Sequence, residues 1–309
     1  MVRNREVQHM KKRKLSLEEK SYTLSDKIML RVSTLILALF FLAIMYPLIY
    51  AVISSFSKGV LDLNLIPDQF TLEGYKACFN YPLLWSGFAN SVLYTGLGTI
   101  IALIVTVCCA YPLSIKGLPF AGVMLFLCMF TMYFDGGLIP TFLWIKDLGL
   151  YNTMWAVILP SSLSIFNMLV MRTYFADSIP HDLKEAAGLD GANEIVYLIR
   201  IVLPLSGPVI AVIALYYASS LWNSYFNAMM YLLDLEKMPL ANILRNLLIT
   251  TQNAGSSAAT DSMTAAAMEE RQEVMKYCVM VIATVPMMVL YPFIQKFFVK
   301  GVMIGAVKG

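Results

Sequence analysis

The chain has 309 residues, of which 59% are hydrophobic and only 14% charged, and its formal net charge is +3. Its mean hydropathy is +0.68, whereas a water-soluble domain runs at roughly 45–50% apolar and about 25% charged residues. A soluble enzyme, a disordered chain and a disulfide scaffold are therefore excluded. Residues 1–31 form a polar segment holding nine of the 23 lysines and arginines. It reads as a cytoplasmic basic tail hugging an anionic membrane surface rather than as a nucleic-acid arm. A membrane helix needs about 20 mostly apolar residues, and six stretches supply them: 32–53, 90–112, 120–140, 154–171, 206–232 and 275–298. The first is too long, and too far behind a polar tail, for a cleaved signal peptide, and no small-x-small site follows it. The expected architecture is all-α: one polytopic membrane domain, residues 32–309, with six transmembrane helices.

Placing the N-terminus inside puts sixteen of the 23 basic residues on the cytoplasmic side and seven outside. The positive-inside bias thus predicts that both termini are cytoplasmic. Among the inner connections, 114–118 is a tight turn around Lys116 and Gly117, but 172–204 is long for a connector. In that loop Ser178 and Pro180 signal a helix start, 182–187 is helix-forming, Gly188 and Gly191 bracket a bend, and 192–200 forms a second short helix. A helix–turn–helix on the cytoplasmic face follows, with exposed apolar and acidic residues suited to a partner. Outside, 54–81 and 233–274 are long, 254–268 is a low-complexity run of small residues, and 141–153 is a short aromatic excursion. Asp135, at the outer end of the third span, reads as a wet interfacial carboxylate.

Bond chemistry has no seat here. There is no Gly-Lys dipeptide, hence no phosphate-cradling loop of the Walker type, and no GxSxG. Two histidines, His9 and His181, make neither HExxH nor a His-rich metal site. The five cysteines, Cys78, Cys108, Cys109, Cys128 and Cys278, form no CxxC and read as structural thiols.

The decisive pattern lies in the long inner loop. Glu185-Ala186-Ala187 is followed by three residues, Gly191, nine residues, Ile201, one residue and Leu203-Pro204. This resembles the EAA signature of the membrane subunits of bacterial binding-protein-dependent ABC importers, in the same slot before the penultimate span. Asp190-Gly191-Ala192 and the Pro204/Pro208 pair resemble the carbohydrate branch of that family. The run Gly136 to Thr141 and the later Pro239-Leu240 and Leu244-Arg245 resemble its complex-sugar and oligosaccharide permeases. The resemblance covers residue 71 to the C-terminus.

The resemblance implies the type I importer permease fold and import of oligosaccharides or complex glycan fragments. The implied partners are a second, homologous permease subunit, two ATPase subunits that carry ATP and Mg, and an extracytoplasmic solute-binding protein. No cofactor is expected on this chain itself. Glu185, Ala186, Ala187, Leu189, Asp190 and Gly191 become the candidate ATPase-coupling residues. Physically, small alanines allow close approach, Glu185 can pair across the contact, and Gly191 supplies a turn that a side chain would block. Leu203-Pro204 is expected to end the loop helix and set the angle into the fifth span.

Polar groups within spans face protein or water rather than lipid. Tyr216, Ser220, Asn223 and Asn227 fall at i, i+4, i+7 and i+11, one helical face, with Ser224 beside them. Ser164 and Asn167 add a polar patch on the fourth span. Aromatic, amide and hydroxyl groups together suit sugars, so these seven are candidates for the substrate path, with interhelical hydrogen bonding the standing alternative. Two rival functions remain open: the same machinery for a peptide or phosphate ester, and an ion-coupled secondary transporter. The latter calls for mid-span carboxylates and inverted repeats, neither of which is evident in the sequence.

Overall fold

A computed structural model describes residues 23–58, 69–254, 274–289 and 291–292. The expected basic tail, the small-residue run after residue 254 and the end of the sixth span lie largely or wholly outside the described residues. What is described is helical, apart from one isolated antiparallel bridge between Ser57 and Phe70.

Helix α1, Leu24–Ser55, begins at a capping box in which the Thr23 hydroxyl accepts from the Asp26 backbone N–H and the Asp26 carboxylate accepts from that of Thr23. Its apolar side chains are exposed along most of its length, and only Ser54 and Ser55 at its end are buried. Ser55 and Tyr75, the latter on the short helix α2 (Glu73–Phe79), share a hydrogen bond of 2.8 Å.

Helix α3, Pro82–Ser114, is the spine. Its 33 residues span about 50 Å at 1.5 Å per residue, well beyond roughly 30 Å of hydrocarbon. Gly87, Ser91, Thr95, Gly98, Ala102, Thr106 and Ala110 are all buried and recur every three or four residues, so small side chains line one face. Such a face lets neighbouring helices approach closely.

The remaining apolar stretches differ from the simple rods expected. The third is broken: α4 (Ala121–Tyr133) and α5 (Leu138–Asp147) meet at 110°. Gly137 sits at φ +90 and donates its N–H to the Asp135 carboxylate at 3.0 Å, so a side-chain-stabilised turn replaces the helix there. The expected excursion after residue 140 is instead largely α5. The fourth stretch is α6 (Trp155–Ser161) and α7 (Ile165–Ser178), bent by 47° at Ser162–Ser164. The fifth is entered from α9 (Glu194–Leu205) through an 82° turn at Ser206 and runs as α10 (Gly207–Trp222). It stops at Asn223, whose amide donates to the Ser219 carbonyl at 2.8 Å, and resumes as α11 (Phe226–Tyr231). Pro204 therefore lies within the last turn of α9, and Ser206 makes the corner. Beyond α11 come α12, Leu240–Ala254, and α13, Val274–Val289.

Two packing centres flank the spine. Near its Ser114 end, Ala102, Ala110 and Tyr111 pack with Met168, Met171, Phe175, Ala187, Tyr197 and Ile213. Near its Pro82 end, Leu84 packs with Cys78, Trp222, Leu240, Val274 and Cys278. The buried Tyr217 hydroxyl joins three helices, accepting from the Ser164 N–H at 2.9 Å and sharing a 2.7 Å bond with Thr106.

Gly87 tests this close packing. A Cβ there would lie 2.8 Å from the Ile243 side chain and 3.4 Å from the Leu240 backbone, whereas one on Gly96 meets nothing within 4 Å. Gly87→Val is expected to destabilise the purified chain by about 1–3 kcal/mol, read as a lowered thermal midpoint in detergent. Gly96→Val should be neutral or stabilising by less than about 1 kcal/mol, since valine is a better helix former than glycine and nothing there opposes it.

Candidate coupling surface and polar path

The loop after α7 folds as two short helices. Pro180 opens α8, His181–Leu189, and Asp190 ends it. Gly188 stays inside the helix, and Gly191 alone makes the turn at φ +76, a conformation that side chains rarely adopt. The Asn193 side chain then caps α9 by accepting from the Val196 N–H at 2.8 Å.

This hairpin turns two faces. Ala187, at 6% exposure, packs inward with Tyr111 and Phe175. Glu185, Ala186, Leu189, Asp190 and Gly191 are exposed, and among the described residues Glu185 pairs only with its helix neighbour His181, at 3.3 Å. Leu189 is 91% exposed, with Ile195 at 67% and Ile199 at 58%. Of the six coupling candidates, the structure thus separates Ala187 from the rest. It adds two isoleucines that sequence reasoning missed, because membrane-surface loops carry no clean apolar period.

The inward face is fastened to the spine. Glu194 accepts from the Tyr111 hydroxyl on α3 and pairs with Lys184 on α8 at 2.8 Å. Arg172 Nε donates to the Leu113 carbonyl at 3.0 Å, at the end of α3 where helix carbonyls lack partners. Tyr111 and Lys184 line a cleft of about 550 Å³ together with Lys116, His181 and Glu185. Neither the Tyr111–Glu194 bond nor the Arg172 contact has a signature in the sequence, since each joins residues far apart in the chain.

The polar path candidates divide. Tyr216, Ser220 and Asn223 are exposed on one side of α10, and Ser224 follows at the break. Asn227 lies on the separate helix α11, where its amide donates to the Ser161 hydroxyl at 3.3 Å. The expected continuous face of four therefore ends at Asn223, because the helix ends there. Ser164 caps α7, accepting from the Asn167 N–H, and Asn167 is buried; these two support a helix start rather than an open surface.

At the opposite end of the spine, Asn152 organises the chain that leads into α12. It sits at φ +59, accepts on its side-chain oxygen from the Leu233 and Asp234 N–H groups, and donates to the Asp234 carboxylate at 3.0 Å. Asn90 and Tyr94 of α3 donate to the carbonyls of Glu236 and Lys237, each at 2.7 Å. Both ends of α3 thus hold a loop through side-chain hydrogen bonds.

The chain is similar to known proteins in sequence and in fold. The family model for the binding-protein-dependent transport system inner membrane component matches residues 19–304. The chain is 38% identical over 277 residues to the polygalacturonan/rhamnogalacturonan transport system permease protein YtcP of Bacillus subtilis, covering 88% of this chain and 96% of that one. It is 39% identical over 267 residues to protein LplC of the same organism, covering 85% and 89%. Among solved structures, a chain of a bacterial ABC transporter involved in the import of the acidic polysaccharide alginate superposes with a TM-score of 0.79 at 32% identity, covering 90% of this chain and 99% of that one.

The Glu194 fastening is pH-sensitive. Hydrogen bonds from Lys184 and then Tyr111 hold its carboxyl below the ordinary value of 4.5. A depressed folded value contributes stability above the unfolded value and loses it as pH falls through the folded one. A nitroxide at position 195, in a background without native cysteines, should therefore gain mobility as pH drops below about 4.5. In Glu194→Gln it should be mobile throughout; equal pH profiles in the two proteins would show that the pair does not brace the loop.

Proposed function

Since the chain belongs to the family of binding-protein-dependent transport system inner membrane components and works in transport rather than as an enzyme, we propose that it is one permease subunit of an ABC importer for oligosaccharides or complex glycan fragments. A second permease subunit pairs with it, an extracytoplasmic binding protein delivers the solute, and two ATPase subunits, carrying ATP and Mg, supply the work. The chain crosses the membrane six times with both termini in the cytoplasm. The spans are α1, α3, the bent α4–α5 and α6–α7 pairs, α10 with α11, and α13.

One observation carries the coupling role. The EAA spacing coincides with a surface on which Leu189 is 91% exposed beside the left-handed Gly191, on a hairpin fastened to the spine through Tyr111, Glu194 and Lys184. An exposed leucine in a rigid mount suits insertion into a groove of a partner. Movement of that partner would pass through the fastenings into α3 rather than dissipate in a slack loop. Tyr216, Ser220, Asn223 and Ser224 line the solute path against the second permease. In that setting their ring, hydroxyl and amide groups meet sugar C–H faces and hydroxyls.

Leu189→Asp should leave membrane abundance near normal, since the position is exposed, and Gly191→Val strains the left-handed turn of the hairpin while leaving the apolar helices untouched. Each should weaken copurification of the ATPase subunits roughly tenfold or more, a loss of about 1.4 kcal/mol, and abolish coupled transport. Normal retention with normal solute-stimulated hydrolysis in both variants would reject the coupling role. The topology has its own check: single cysteines at positions 195 and 256 should react with impermeant reagents from opposite sides of the membrane, and same-side labelling would overturn the six-span arrangement.

A further inference from the structure

Beyond the break at Asn223, the chain presents a cation that the permease reading leaves unused. Arg245, on α12, is half-buried and lays its guanidinium over the Tyr225 ring, 5.8 Å from the centroid, with Nη1 against the Met229 thioether. Among the described residues no carboxylate lies within ion-pair distance of it. Lys184 and Lys237 differ, each having an acid at 2.8 and 2.7 Å respectively. A guanidinium always carries its charge and presents five N–H donors in a rigid fork; a ring face and a thioether satisfy little of that. One turn earlier, Asn242 is 2% exposed. Its amide donates to the Tyr225 carbonyl at 3.0 Å, while its side-chain oxygen has no partner among the described residues. Tyr225 itself is 45% exposed and lies two residues past Asn223, at the end of the exposed Tyr216, Ser220 and Asn223 face.

We propose that Arg245, pre-oriented by Tyr225, is a carboxylate-binding subsite at the extracytoplasmic mouth of the solute path, and that the imported sugar is an acidic, uronate-containing oligosaccharide. The inference rests on the importer reading above and narrows it to one substrate class. The fork geometry suits a carboxylate, to which arginine binds through two parallel hydrogen bonds. A half-buried position strengthens that attraction relative to open water. Placement at the mouth gives an anionic chain its first contact before it meets the uncharged polar groups further along α10. The polymer names carried by the similar permease and by the similar solved transporter, polygalacturonan and alginate, are those of acidic polysaccharides.

The test uses the complete transporter in proteoliposomes with its wild-type binding protein throughout. The probes are trigalacturonate and its fully methyl-esterified counterpart, equal in chain length but uncharged. Keeping one binding protein cancels its own preference when variants are compared by the ratio of acid to ester uptake. Arg245→Gln should lower that ratio about tenfold or more, the range expected on losing a charge-assisted pair. Arg245→Lys, which keeps the charge and loses the fork, should fall between. An unchanged ratio in Arg245→Gln, or equal falls in uptake of both probes, would overturn the subsite and leave Arg245 a structural or lipid-facing cation. A wild-type complex that imports only the ester would overturn the subsite while leaving the importer reading intact. Failure of the wild-type chain to assemble with ATPase subunits would instead overturn the importer reading itself.

Discussion

A hydrocarbon interior offers no water to complete hydrogen bonds, and the structure answers that constraint with one long helix against which α7, α10 and α12 pack. The small buried residues of α3, from Gly87 to Ala110, bring neighbouring backbones close enough for hydroxyls to meet. The Tyr217 hydroxyl, shared with Thr106 and the Ser164 N–H, closes the helix start in the middle of the fourth span. Without the thin face of α3, neither α10 nor α7 would approach closely enough for that knot to form. Irregular backbone at membrane depth is tolerable only where protein or a wet path surrounds it, and the spine supplies the protein.

The same helix explains how two distant loops are mounted alike. At its Pro82 end, Asn90 and Tyr94 donate to the chain leading into α12. At its Ser114 end, Tyr111 and the Leu113 carbonyl engage Glu194 and Arg172. Both mounts rest on side-chain donors of α3, and at the Ser114 end the Leu113 carbonyl adds a helix-terminal group that already needs a partner. A helix of some 50 Å fastened at both ends is a stiff lever, and stiffness is what a transporter driven by separate ATPase subunits requires. The hairpin α8–α9 is the complementary part: inward residues such as Ala187 fix it, which leaves Leu189, Ile195 and Ile199 standing out.

The breaks matter as much as the rods. Three of the apolar stretches bend, by 47° where the Ser164 hydroxyl accepts from the Asn167 N–H, by 82° at Ser206, and by 110° where the Asp135 carboxylate accepts from the Gly137 N–H. The break at Asn223 has a functional consequence. It ends the polar face of α10 and brings Tyr225 under Arg245, where a continuous helix would have carried the face on to Asn227. Instead, Asn227 turns to Ser161 and becomes interhelical support.

By itself the sequence determined the class and most of the plan, because those depend on local and compositional facts. Low charge and runs of about 20 apolar residues mark membrane helices wherever they occur, and the spacing from Glu185 to Pro204 is a one-dimensional pattern. The left-handed turn at Gly191 was legible too, since few other residues tolerate it. Tertiary structure alone decided the rest. Which alanine of the EAA triplet faces inward depends on Tyr111 and Phe175, more than ten residues away in the chain. The fate of Asn227 depends on Ser161, and the significance of Arg245 on the ring of Tyr225 and the absence of a described acid nearby. A hydropathy pattern reports how greasy a stretch is. Whether that stretch stays straight depends on which polar side chain is placed to take over a backbone hydrogen bond, and only the packed chain fixes that.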